Sequence, residues 1–137
     1  MRDLKNNIEF DQSLPPESAP VTTSANGASS DLSGGYSAAV AFNIGPWGDG
    51  THTFSVEESD DDSTFTAVAA ADLQGTAPVV NDATDDNQVY VVGYIGNKRY
   101  IRAVCTVTGG PVTGLVRDAN VARSSLRYAG SGNPALA

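Results

Sequence analysis

Cysteine, histidine, methionine and tryptophan each occur once in this 137-residue chain. A lone Cys105 excludes a disulfide framework and a cysteine-ligated zinc site. A lone His52 leaves any Ser-His-Asp or Cys-His arrangement one possible base, at the start of an expected strand where an ordinary polar residue is the plainer reading. No stretch approaches the roughly 20 apolar residues of a membrane helix, which points away from a membrane partner. The opening residues 1–7 lack an apolar segment, so the sequence reads as a soluble protein without a signal peptide, made in a cytoplasm. The nucleophile-elbow, zinc-protease, Walker and dinucleotide fingerprints are all missing.

Basic residues are scarce and unevenly placed. Lys and Arg total 8 against 16 Asp and Glu, a net charge of −8. A nucleic-acid binder carries a basic stripe, so nucleic acid is excluded as the first partner. Residues 6–97 contain no Lys or Arg, while Arg2 and Lys5 stand before them and Lys98, Arg99, Arg102, Arg117, Arg123 and Arg127 after. The middle is acidic and the ends are basic.

What remains is 40% hydrophobic and 18% charged, enough for one domain with a real core. Residues 3–10 could form a short strand or an extended arm, and the three prolines after them (Pro15, Pro16, Pro20) favour an extended path. Period-two alternation follows: Tyr36, Ala38, Val40, Phe42 and Ile44 share one face, and Phe54 and Val56 alternate with polar neighbours. Residues 87–95, 98–107 and 112–122 read as further strands, residues 65–68 as a short one, and 69–74 as a helical turn. Gly-, Asp- and Asn-rich turns separate them. The expected fold is all-β, an antiparallel β-sandwich or jelly roll of about seven or eight short strands with an extended N-terminal arm. The expected divisions are residues 1–30 for arm and loop, 31–128 for the sandwich and 129–137 for a mobile tail.

Candidate chemistry is thin. Glu57, Glu58, Asp60, Asp61 and Asp62 form one carboxylate cluster and Asp82, Asp85 and Asp86 another. Calcium could bind if the two loops met, but the EF-hand spacing is absent and two solvated turns are the plainer reading. Trp47, in a Gly/Pro turn, reads first as a cap on the core and second as a contact anchor. The arm carrying Arg2, Leu4, Lys5 and Ile8 suits lying along another surface, and Arg117, Arg123 and Arg127 suit bidentate contacts with carboxylates. These eight residues (Arg2, Leu4, Lys5, Ile8, Trp47, Arg117, Arg123, Arg127) form the expected partner interface. No catalytic, metal-binding or cofactor-binding residue is expected.

Three stretches, Met1 to Ile8, Asp49 to Phe65 with Val68 to Leu73, and Val92 to Arg102, resemble small structural proteins encoded in the head-gene region of tailed phages and prophages. The resemblance implies a virion component on the capsid surface. It would be a decoration or cement protein that binds the major capsid protein as a homo-oligomer and stabilises the head, with no catalysis and no cofactor. A neck or tail component is an alternative. The Lys98 to Arg102 strand also resembles one found in galactose-binding-type jelly rolls, which implies a virion-borne host-surface or carbohydrate-binding module as a further alternative.

Overall fold

The computed structural model describes residues 3–33 and 37–124, so Arg2, Tyr36, Arg127 and the expected tail lie outside the described residues. In chain order, the first strands are β1 (Ile8–Leu14), the two-residue β2 (Ala25–Asn26) and β3 (Ser30–Asp31), β4 (Ala38–Trp47) and β5 (Thr51–Ser59). There follow the two-residue strands β6 (Thr66–Ala67), β7 (Leu73–Gln74) and β8 (Val79–Val80). β9 (Gln88–Tyr94), β10 (Tyr100–Thr108) and β11 (Leu115–Ser124) complete the set. The expected helical turn is a single 3₁₀ turn at Ala70–Asp72.

Alternation makes these strands two-faced. In β4, buried Ala38, Val40, Phe42 and Ile44 alternate with half-buried Ala39, Ala41 and Asn43. One sheet has the order β1-β11-β4-β9-β7, and the other runs β2-β10-β5-β6, with β3 on β10 and β8 on β5. Every named pairing is antiparallel. The inward residues of both sheets form one core, including Val40, Phe42, Phe54, Val56, Val92, Ile101, Ala119 and Val121. Phe42 and Phe54 meet across it with ring centroids 5.3 Å apart and tilted, a pairing that adds about 1 kcal/mol beyond the area it buries. The fold is an all-β sandwich, as expected. Among the described residues no helix is long and apolar enough to cross a membrane.

The N-terminal segment departs from the expected arm. Ile8–Leu14 is an edge strand paired to β11 from Ile8↔Ser124 to Leu14↔Ala119, with a bulge near Ser13. At that bulge the Ser13 hydroxyl crosses to the second sheet, accepting from the Ala103 amide at 2.9 Å and donating to the Ala28 carbonyl at 2.8 Å. Gly27 lies so close that an added Cβ would strike the Ser13 hydroxyl and lie 2.6 Å from the Ala103 carbonyl oxygen. Further on, Val21 and Leu115 exchange both backbone hydrogen bonds, at 2.8 and 3.1 Å. The prolines do interrupt pairing, but on both sides of them the chain is hydrogen-bonded into the sandwich, so the expected boundary at residue 30 separates no arm from the body.

The last strand starts at Leu115 rather than Val112. Asp49 accepts from the amides of Val112, Thr113 and Gly114 at 2.8, 2.9 and 2.6 Å, so those donors are turned away from any ladder. Gly114 then takes φ +86, a left-handed conformation that glycine adopts without strain.

Candidate functional site

The surface that stands out is the outer face of the first sheet. Register rows define it: Phe10 opposes Ala122, Ala122 opposes Ala39, and Ala39 opposes Gly93. The next row runs Gln12, Asn120, Ala41, Val91, and the next Asp118, Asn43, Val89. The rows between them, such as Val121–Val40–Val92, are buried, so these residues face outward. The centre of the face combines Ala39, Ala41 and Ala122 with Asn43, Asn120 and Asp118. Its margins are large and apolar, with Leu4 and Phe10 at 68% and 66% exposure on one side and Val89 and Val91 at 63% and 62% on the other. At one end of the face lies a shallow trough of about 400 Å³ with Leu4, Ile8, Ala39, Gly93 and Ala122 in its lining, together with polar Gln74 and the Arg123 side chain. The charge in these rows is Asp118, and its carboxylate accepts from the Asn43 amide at 2.6 Å.

Of the expected interface residues, Leu4, Ile8 and Arg123 come together along the trough, and Trp47 and Arg117 do not join them. Leu4 and Ile8 line the trough. Lys5 lies just before β1 and is exposed. Trp47 ends β4, packs against the core and donates its indole N–H to the Gly50 carbonyl at 2.9 Å, so it caps the core. Arg123 is held within its own chain, 2.7 Å from Glu9 and 2.9 Å from Asp11, because antiparallel pairing sets β1 beside β11. Burial pushes the Asp11 carboxyl up, but hydrogen bonds from Ser30 and Arg123 outweigh it and leave the group below its ordinary value. Arg2 and Arg127 lie outside the described residues.

Arg117 is the clearest correction. It was expected on the surface as a carboxylate-binding group, yet it is 2% exposed. It shares the inward parity of Leu115, Ala119 and Val121, and β11 has no other way to place those three in the core. One guanidinium nitrogen donates to the Thr23 carbonyl at 3.0 Å, and the Cys105 thiol lies beside the group. His52, expected as a strand-edge residue, is fully buried on β5 with the same inward parity as Phe54 and Val56. Its Nε2 lies 3.1 Å from the Asp49 carbonyl oxygen. Desolvation holds the imidazole below its ordinary pKa; the Asp49 carbonyl opposes that, and the positive charge of Arg117 reinforces it.

The charge segregation in the sequence resolves inside the molecule. Arg102 pairs with Glu57, Lys98 with Asp60 and Arg99 with Asp31, joining the basic C-terminal third to acidic residues earlier in the chain. Hydrogen bonds from Arg99 and the Ser33 amide lower Asp31 to about 2. The acidic loops likewise serve their own backbone. Asp61 accepts from Ser63, Thr64 and the Ser59 hydroxyl, Asp82 from Thr84, and Asp86 from the Trp47 amide. Among the described residues no group of three or more His, Cys, Asp or Glu could hold a metal ion.

A second concavity, a cleft of about 530 Å³, lies between the β9–β10 connection and Leu32–Ser33, with Asp60, Tyr94, Asn97, Lys98 and Arg99 in its wall. Its cations are the two engaged by Asp60 and Asp31. No protein-family model, no curated protein and no solved structure matches this chain.

Proposed function

We propose that the chain is a non-catalytic structural protein of a tailed-phage head, a decoration or cement protein that docks on the major capsid protein at the capsid surface. The observation that carries this reading is the open face of the first sheet. An acidic protein repels copies of itself and other acidic surfaces, but this face has exposed apolar margins (Leu4, Phe10, Val89, Val91), alanine and uncharged amides between them, and few charges. Apolar surface left open in this way marks a protein contact. Strand geometry supports the reading in a second way. The four main strands, at about 4.8 Å spacing and about 3.4 Å per residue, present a flat area of about 400 Å², below the roughly 800 Å² per partner of a standard stable complex. Such a contact is weak when single and becomes strong through repetition, as on a lattice where copies also touch one another.

The reading differs from the sequence expectation in the residues that would do the work. Phe10, Val89 and Val91 join Leu4, Ile8 and Arg123, while buried Arg117 drops out. The test is co-sedimentation with heads of the phage that encodes the chain. The wild-type protein should pellet with heads, Val91→Glu and Phe10→Asp should stay in the supernatant while remaining folded, and Arg102→Gln, on the outer face of the other sheet, should still pellet. Wild-type protein that never pellets with heads, at any concentration, would sink the reading.

A carbohydrate-binding role is the second reading, and the cleft beside Tyr94 and Asn97 is the observation that favours it. A glycan array with binding lost in Asn97→Ala would turn the assignment to that cleft.

A further inference from the structure

Asparagine is followed by glycine once in the chain, at Asn26–Gly27. Such a pair is chemically labile, because a glycine amide brings no side chain of its own as it closes on the preceding side-chain carbonyl. Asn26 is exposed and lies in the extended β2, opposite Val104 on β10. Gly27 beside it is buried. The Gly27 amide donates to the Ala103 carbonyl at 2.8 Å, and the Ala28 amide donates to the Ser13 carbonyl at 2.8 Å.

The fold requires glycine at position 27. A Cβ there would strike the Ser13 hydroxyl and lie 2.6 Å from the Ala103 carbonyl oxygen and 2.9 Å from that of Ser13. Only a residue without a side chain fits between β1 and β10 at this level. The same two strands restrain the reaction that glycine makes easy. To attack, the Gly27 nitrogen must lose its proton and swing toward the Asn26 side chain. In the folded chain that proton is engaged by Ala103. The Ser13 hydroxyl accepts from the Ala103 amide and donates to the Ala28 carbonyl, and so holds the segment from its other side.

We propose that Asn26 is a self-modification site gated by the Ser13–Gly27–Ala103 junction, converted through a cyclic imide when that junction opens. The Gly27 nitrogen bonds to Asn26 Cγ, and its proton passes through solvent to the side-chain nitrogen, which leaves as ammonia. Water then opens the imide at either carbonyl and leaves an aspartyl or an isoaspartyl residue at position 26. The isoaspartyl product carries an extra methylene in the backbone. Residues 25 and 26 then cannot keep their register with Cys105 and Val104 while Gly27 still reaches Ala103. An opening that leads to reaction is therefore irreversible, and it weakens the link between β1 and the second sheet.

Peptide mass spectrometry of the full chain, incubated at mildly alkaline pH, follows each asparagine by the mass gained when amide becomes acid. Unfolded in urea, the chain should convert Asn26 before any other asparagine. In the native protein Asn26 should convert far more slowly, and in urea below the unfolding transition its rate should rise in step with hydrogen exchange at the Gly27 amide. Ser13→Ala removes two side-chain hydrogen bonds of the junction. Its folded form should convert Asn26 about tenfold faster than wild type, the factor that loss of one ordinary hydrogen bond puts on an opening equilibrium. The urea series uses the wild-type chain, so it tests the gate even if that variant fails to fold. Equal rates in the native and unfolded chain, another asparagine converting first in urea, or a native rate indifferent to Gly27 exchange would each overturn the assignment.

Discussion

Arg102 and Glu57 stand directly opposite each other on β10 and β5, with a guanidinium nitrogen 2.6 Å from the carboxylate. Arg102 also lies over the Phe65 ring, 4.0 Å from its centroid. The guanidinium is thus clamped between an acid and a ring on the outer face of the second sheet, and it ties the acidic turn after β5 to the strand beside it. Arg102→Ala should cost about 1 kcal/mol, from a cation–π contact and a partly exposed ion pair together. Glu57→Gln should cost less, since the ring contact survives. Urea unfolding of the two single variants and the double variant would measure this. A coupling energy well above about 1 kcal/mol would mean that the pair acts as a buried one.

Arg123 bridges Glu9 and Asp11 on the edge strand, so its removal should be felt locally. Arg123→Gln is expected to cost about 1 kcal/mol, because the side chain is mostly covered but both acids reach solvent. The distinguishing measurement is amide hydrogen exchange. Residues 8–12 should exchange faster while β4 and β10 keep their protection. Uniform acceleration across both sheets would show that the edge strand is integral to global stability.

Tyr94 sets an alkaline limit. Burial, then donation to Glu58 at 2.8 Å, pushes its phenol up to about 12 from 10.0. The folded pKa lies above the unfolded one, so this contribution to stability is complete below about pH 10 and is lost as pH rises through about 12. Tyr94→Phe should lower stability by about 1 kcal/mol at neutral pH and flatten the alkaline decline. Ultraviolet titration of the tyrosinate band should show one fewer late-ionising phenol in the variant. An unchanged titration curve would assign the late phenol to another tyrosine.

The strands were legible because alternation is a local property. Ala38, Val40, Phe42 and Ile44 announce an inward face without reference to any partner. The same rule reaches His52 and Arg117: His52 keeps step with Phe54 and Val56, and Arg117 with Leu115, Ala119 and Val121. Residue type argued for the surface, parity argued for the core, and parity was right. The charge pairs and the trough could not be read in this way. Arg102 meets Glu57 only because β10 lies on β5 in one register, and Phe10 joins Ala122, Ala39 and Gly93 only through three strand pairings. Register between distant strands depends on the packed whole. For Ile8–Leu14 a short strand was one of two readings, and what stayed hidden was its place at the sheet edge, since the prolines after it suggested a free arm and its partner lies at the other end of the chain.

Arg117 and Arg123 lie on the same strand, and the fold predicts opposite responses to the same change. Charge reversal at Arg123 places an acid beside Glu9 and Asp11 and should loosen the edge, leaving a folded protein. At Arg117, Glu would bury an acid facing the Thr23 carbonyl, which accepts and cannot donate to it, and the protein should fail to fold or should unfold well below the wild-type temperature. Arg117→Met separates the cost of the charge from the value of the volume. It fills similar space without a cation, and replacing a poorly compensated buried charge by an apolar group is often neutral or stabilising, so the expected change lies between about 1 kcal/mol of loss and a modest gain. Thermal unfolding of Arg117→Met near pH 7 reads that change. A loss of several kcal/mol at neutral pH would show that the hydrogen bond from Arg117 to the Thr23 carbonyl holds that end of the sandwich closed.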